Sequence, residues 1–238
     1  MLSIIIPARN EEHYLPKLLE SLRRQTFKDF EVIVADCHSQ DKTKEIARKF
    51  GCKITKGGLP AEGRANGAKA ARGDRFFFID ADCELGNDFL EKTIHEFNRR
   101  TLDVAACLIV PLEKSVAGSS LFFLYNAWVI IVQRIAPHAA GCAILCKRQV
   151  YDSCGGFRPS IKMYEEHDFV MRARKHGKFR VLYSRRMRTS LRRFKRDGFF
   201  LTLSRLFLSW FLRLVSGELH KDIFGYFKKD KRQKMVKS

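Results

Sequence analysis

Three phenylalanines and an isoleucine, Phe76–Ile79, run without polar interruption into Asp80-Ala81-Asp82. An apolar run this short, bounded by charge, fits a strand buried on both faces better than an amphipathic one. Its end delivers two carboxylates one residue apart, and positions two apart lie on the same side of an extended chain. The same rhythm recurs along the first 110 residues. Ser3–Ile6, Phe30–Ala35, Cys52–Thr55 and Val104–Val110 read as further buried strands. Between them come helical patterns. The first has an Asn10 cap, Glu11 and Glu12 in its first turn, then Leu15, Leu18, Leu19 and Leu22 at helical spacing. Ser39–Phe50, a small-residue helix Ala61–Arg72, and a segment from about Asn87 to Arg99 follow. This alternation predicts an α/β fold, a mostly parallel sheet flanked by helices on both faces.

In such sheets ligands sit beyond the C-terminal ends of the strands. Pro7–Glu11, Asp36 and Asp80–Asp82 all fall at that edge. Two hard carboxylates there suit a divalent cation that bridges pyrophosphate oxygens and neutralises a leaving nucleotide. Taken alone, the same pair is equally a solvated strand end or a helix N-cap. No GxGxxG follows the first strand, which argues against a dinucleotide-binding domain.

Charge divides the chain unevenly. The net charge is +19, but residues 1–170 hold 24 basic and 22 acidic side chains, whereas residues 171–238 hold 21 and 4. A near-neutral domain therefore carries a basic C-terminal quarter, which seeks a phosphorylated ligand, an anionic membrane surface or nucleic acid. The seven cysteines show no CxxC pair and no zinc-type spacing, so reduced thiols in a cytoplasmic protein are expected. The N-terminus shows neither a basic n-region nor an apolar run long enough for a signal peptide.

Four separated motifs occur in order. Pro7-Ala8-Arg9-Asn10-Glu11-Glu12 follows the first strand, and Val34-Ala35-Asp36-Cys37-His38-Ser39 the second. Gly63-Arg64-Ala65-Asn66-Gly67 precedes the acidic strand, and Gly155-Gly156-Phe157 is followed by Tyr164-Glu165-Glu166-His167-Asp168. Over about residues 1–200 this set resembles the family 2 glycosyltransferases of GT-A fold. The resemblance implies an inverting, metal-dependent hexosyltransferase that uses a nucleoside-diphosphate sugar and Mg2+ or Mn2+. It implies that Pro7, Arg9 and Glu11 surround the base and ribose and that Asp36 hydrogen-bonds the base. Arg64 and Asn66 would lie near ribose or pyrophosphate, with packing and surface roles as the alternative. Asp80 would contact ribose or metal-bound water, and Asp82 would ligate the metal, with Asp80 as a second ligand.

Glu166 stands where that family usually has a catalytic Asp, and would take the proton of the acceptor hydroxyl. Glu165 and Asp168 are its alternates, since acids at a helix N-terminus also answer to the helix dipole. His38 and His167 read as polar surroundings rather than nucleophiles. Cys37 stands where many relatives carry a second Asp and reads as a small packing residue. Ser190-Leu191-Arg192-Arg193 resembles a downstream Ser-x-Arg-Arg whose guanidinium groups clamp the diphosphate, against the plainer reading of a solvated charge run.

The division expected is a GT-A-like domain over 1–195 and a basic amphipathic extension over 196–238. Leu121–Val132 is too short for a span and reads as a core or interfacial helix. In Phe199–Ser216, Thr202, Arg205, Ser209 and Arg213 draw one polar stripe on an apolar helix. Two arginines cost about 5–7 kcal/mol on the insertion scale and cancel the apolar gain, so a helix lying on the cytoplasmic face of a membrane is expected. Docking on the domain or in a homodimer is the alternative. The acceptor is then a glycan, a glycolipid or a polyprenyl phosphate. A nucleic-acid-binding protein on a non-catalytic scaffold and a sugar-1-phosphate nucleotidyltransferase are the competing functions. Against the first, the aromatics cluster on a helix face rather than a sheet. Against the second, no Gly-rich basic loop follows the first strand.

Overall fold

The computed structural model describes residues 1–135, 137–198 and 201. The expected helix over 199–216, and nearly all of the 196–238 extension, lie outside the described residues. Strands β1 (Leu2–Ala8), β2 (Phe30–Asp36), β3 (Lys53–Lys56) and β4 (Arg75–Phe78) alternate with helices α1 (Leu15–Arg23), α2 (Thr43–Lys49) and α3 (Pro60–Ala70). Next come β5 (Cys83–Glu84), α4 (Phe89–Arg99), β6 (Val104–Pro111), α5 (Val116–Val132) and β7 (Ile144–Lys147). The described elements end with α6 (Arg148–Ser153), α7 (Glu165–Ala173), β8 (Phe179–Thr189) and α8 (Arg192–Asp197).

All strands join one sheet in the order β3-β2-β1-β4-β7-β6-β8-β5. The pairs β1–β2, β1–β4, β2–β3 and β6–β8 are parallel. The fold is the expected α/β arrangement, with β7 inserted antiparallel between β4 and β6. That insertion matters for the site: Ile144 pairs with Phe78, so the chain entering β7 arrives at the edge where β4 ends.

The phenylalanine run earns its central place by burial on both faces. Phe76, Phe77 and Phe78 are each 1% exposed or less. Phe77 stacks on Phe89 of α4 at 6.1 Å, while Phe78 meets Phe157 edge-on at 4.9 Å on the other side. Each fully buried aromatic contributes about 1.5–3 kcal/mol, so a four-residue strand is held firmly.

Helix boundaries differ from the expected ones for identifiable reasons. Asn10 does not cap α1. It takes a left-handed φ of 54°, and its Oδ1 accepts from the Gln40 N–H at 2.9 Å. The helix begins at Leu15 with Pro16 in its first turn, where a missing N–H costs nothing. Helix α2 starts at Thr43 rather than Ser39, because Asp41 Oδ1 accepts from the Thr43 N–H and Ser39 N–H is drawn to Asp36. Helix α5 is capped by Ser115 Oγ, which accepts from Gly118 N–H at 3.0 Å. The lone polar residue inside its apolar run, Asn126, bonds both the N–H and the carbonyl of Ile109 and ties the helix to β6.

Candidate active site

Because β1, β2 and β4 run parallel and in register, Ala8, Asp36 and Phe78 end at one edge of the sheet. Cys37 N–H donates to Ala8 O at 2.8 Å and Ile79 N–H to Ile5 O at 3.0 Å, which carries the sheet pattern to the loops. Asp36 is 6% exposed. Its Oδ2 accepts from Ser39 N–H at 3.1 Å, while Oδ1 is buried with no hydrogen-bond partner. Leaving a buried acceptor unmade costs about 1–3 kcal/mol, so this oxygen is better satisfied by a ligand donor than by the protein alone. Gly57 packs on the backbone just there: a Cβ on it would lie 2.5 Å from Ala35 O, a distance no side chain tolerates. Pro7 is half-buried against Gly63, and Arg9 is exposed.

Beyond β4, two carboxylates meet two arginines. Arg64, 2% exposed on α3, donates from Nη2 to Asp80 Oδ1 at 2.7 Å and to Gly141 O at 3.0 Å, and from Nη1 to Glu165. Burial works against its charge, but Asp80, Glu165 and Glu166 together outweigh that cost and hold it cationic. Gly141 allows this approach, since a Cβ would meet Arg64 Nη2 at 2.8 Å. Asn66 is half-buried, and lies away from this cluster by helical phase.

The second arginine comes from the start of α8. Arg192 donates bidentately to Glu11, Nη1 to Oε2 and Nη2 to Oε1, both at 2.7 Å. Its Nε lies 2.9 Å from Asp82 Oδ2, and its guanidinium sits 5.0 Å from the Tyr14 ring centroid. Strand β5 brings this about, because Cys83 pairs with Thr189 and Ser190 N–H donates to Asp82 O at 3.1 Å. Glu113 then accepts from Ser190 Oγ and Leu191 N–H, fixing the turn that aims Arg192. Burial raises the Glu11 carboxyl above its ordinary range, against the pull of Arg192. Arg193 lies on α8, and its side chain is outside what is described.

At the start of α7 the three acids have different surroundings. Asp168, 2% exposed, is gripped by Arg172, whose other bonds go to the carbonyls of Cys154 and Gly156. Glu165 is taken by Arg64. Glu166 forms no ion pair among the described residues, and burial, helped by Glu165, pushes its carboxyl up to about 8. Tyr164 precedes them at φ 59°, a left-handed conformation that non-glycine residues adopt at a cost and that recurs at functional turns. His167 meets His138 at 4.9 Å between ring centroids, and His138 meets Trp128 at the same distance.

The sequence reading missed Tyr14 and the Gly141 carbonyl. No residue-type signal marks either, since one acts through its ring face and the other through backbone.

Asp80 and Asp82 are hard oxygen donors with side chains 39% and 13% exposed, which fits one face of a Mg2+ or Mn2+ ion. Among the described residues no group of three or more His, Cys, Asp and Glu forms a complete metal site, so such an ion would need oxygens from its ligand.

The chain is similar to known proteins in sequence and in fold. A 4,4'-diaponeurosporenoate glycosyltransferase of Staphylococcus haemolyticus is 41% identical over 109 residues, covering 42% of this chain and 29% of that protein. The crystal structure of S. aureus TarS 1-349 superposes with a TM-score of 0.67 at 23% identity, over 79% of this chain and 60% of that one. The mannosyltransferase PcManGT of Pyrobaculum calidifontis, solved with GDP-Man and Mn2+, gives 0.62 at 19% identity, over 76% and 53%. The chain thus spans less than two thirds of the length of each. The profile described as "Glycosyl transferase family 2" matches residues 3–121, half of the sequence, and the chain belongs to that family.

Proposed function

We propose that this chain transfers a hexosyl group, with inversion, from a nucleoside-diphosphate sugar to a hydroxyl of a glycan or lipid-linked acceptor. The observation that carries this reading is the Arg64 bridge, which joins Asp80 at the end of β4 to Glu165 at the start of α7. A group that spans the acidic strand end and the acidic helix start couples a donor subsite to an acceptor subsite.

In this reading the unpartnered Asp36 Oδ1 takes a base N–H, and Pro7 and Arg9 flank the nucleotide. Asp80 and Asp82 would hold Mg2+ or Mn2+, which would supply charge neutralisation for the departing diphosphate. Glu166 accepts the acceptor's hydroxyl proton as that oxygen bonds to the anomeric carbon. The bond from the anomeric carbon to the diphosphate breaks, and its electron pair leaves with the nucleotide. Asp168 is committed to Arg172 and Glu165 to Arg64, which favours Glu166 over both as the base. The Mn2+ and GDP-Man of PcManGT support the donor and metal classes.

The test is nucleotide release from UDP-, GDP- and dTDP-sugars with Mg2+ or Mn2+. Release from one donor that depends on metal and is lost in Asp82→Ala supports the reading. Undiminished release in that variant removes the metal assignment, and silence across the panel removes the activity.

The acceptor is placed by this reading on the cytoplasmic face of a membrane. Among the described residues no helix is long and apolar enough to cross one. Peripheral contact is supported by the basic C-terminal quarter.

A further inference from the structure

Helix α5 has two unlike faces. Gly118, Phe122, Asn126 and Val129 are buried, and Asn126 locks that side to β6. The opposite side carries Val116, Phe123, Leu124 and Ile131, which are 86, 70, 64 and 77% exposed. Ile135, just past the helix, extends the stripe at 83%. The spacing of these residues, in steps of seven, one, seven and four, keeps them on one side of the helix, with the exposed Ser119 and Ser120 between the first two. Single exposed apolar residues are ordinary, but a set aligned on one side of a helix marks a contact surface.

Charge says what the stripe touches. No acid or base lies between Ser115 and Gln133. The exposed charges at its two ends are Lys114 and Arg134, and Lys195 of α8 stands nearby with its side chain 64% exposed. The acid beside them, Glu113, is turned inward to Ser190, Leu191 N–H and Lys195. An apolar stripe with no acid along its length and with Lys114 and Arg134 exposed at its ends is complementary to a bilayer interface containing anionic lipid. At 17 residues, with one face fixed to the sheet, α5 suits lying on that interface.

We infer that the free face of α5 docks the protein on an anionic lipid surface, inserting Phe123 and Leu124 between headgroups. This deepens the membrane-borne acceptor reading and rests on it. The same helix reaches the site through its flank: Trp128 contacts His138, which contacts His167 next to Glu166. A lipid-linked acceptor held at the headgroup level would therefore meet the chain beside its base.

The experiment is flotation of the full chain with phosphatidylcholine vesicles, with and without phosphatidylglycerol. Sedimentation of the same samples without lipid accompanies it. The expected result is flotation that needs phosphatidylglycerol and weakens with salt. It should fall by roughly tenfold or more in Phe123→Asp/Leu124→Asp, with unchanged melting temperature and unchanged nucleotide release from soluble donor. The swap Phe123→Leu/Leu124→Phe should float like the parent. Equal flotation of the acidic double variant would overturn the α5 assignment alone, because another part of the chain then carries the membrane contact. No flotation of the parent would overturn the membrane reading itself. A dimer that the acidic variant dissolves, in that case, would identify a second copy as the occupant.

Discussion

Arg192 and Asp82 stand 110 residues apart in the chain, yet Nε of one lies 2.9 Å from Oδ2 of the other. Arg192, at the start of α8, thus closes over the acidic end of β4. The same guanidinium satisfies Glu11, which is 8% exposed. An ion or diphosphate arriving at Asp82 must share this arginine or displace it.

Removing Arg192 leaves Glu11 buried without its donor. Arg192→Ala should lower stability by about 1–3 kcal/mol, toward the lower end because the arginine side chain is 42% exposed and partly screened. Glu11→Gln in the same background should recover most of that loss, because a neutral amide needs no cation. Urea unfolding of the two single variants and the double variant measures the coupling. Strict additivity would mean that the pair contributes nothing.

Arg64 is a harsher case, being 2% exposed with three acceptors around it. Arg64→Met should destabilise by about 3–5 kcal/mol by stranding Glu165 in the interior. Arg64→Lys retains the charge, but one ammonium lacks the planar fork that meets Asp80, Glu165 and the Gly141 carbonyl together. The lysine variant should fold and lose about two orders of magnitude in kcat, with a smaller change in KM. Wild-type kcat in a folded lysine variant would show that the bridge is structural only.

The sequence announced the left half of the sheet because burial on both faces writes itself as unbroken apolar runs: Ser3–Ile6 and Phe76–Phe78 lie inside observed strands. It did not announce β7 or β8. Strand β7 is four residues long, and β8 carries Arg180, Arg185, Arg186 and Arg188 in a pattern that reads as solvated charge. A register shift opposite Cys107 and Leu108 further breaks the alternation of β8. In the site, residue types pointed to Glu165, Glu166 and Asp168 as a set. Spacing alone could not separate them, since their differences come from Arg64 and Arg172, one distant in sequence and one a helical turn away. Asn10 misled for a related reason: the side chain suited to a cap is equally suited to a left-handed turn.

Glu166 gives a prediction whose sign is fixed by its surroundings. Burial raises its carboxyl from 4.5 in the unfolded chain to about 8. A group raised in this way contributes stability fully below pH 4.5, and that contribution is lost as pH climbs through about 8. Glu166→Gln stays neutral throughout, so its melting temperature should match the parent below about pH 4.5, exceed it increasingly as pH rises to about 8, and keep a constant lead above that. Each kcal/mol gained there corresponds to about 2–4 °C for a chain of this size. The same ionisation should appear in the rate. Parent kcat/KM should rise tenfold per pH unit below about 8 and then level, and the variant should lose that limb together with about 10²–10⁴ of the rate. Paired melting curves and pH–rate profiles decide the matter. A melting-temperature gap that does not change with pH would mean Glu166 is not held protonated. A limb that survives in Glu166→Gln would assign the base to another group.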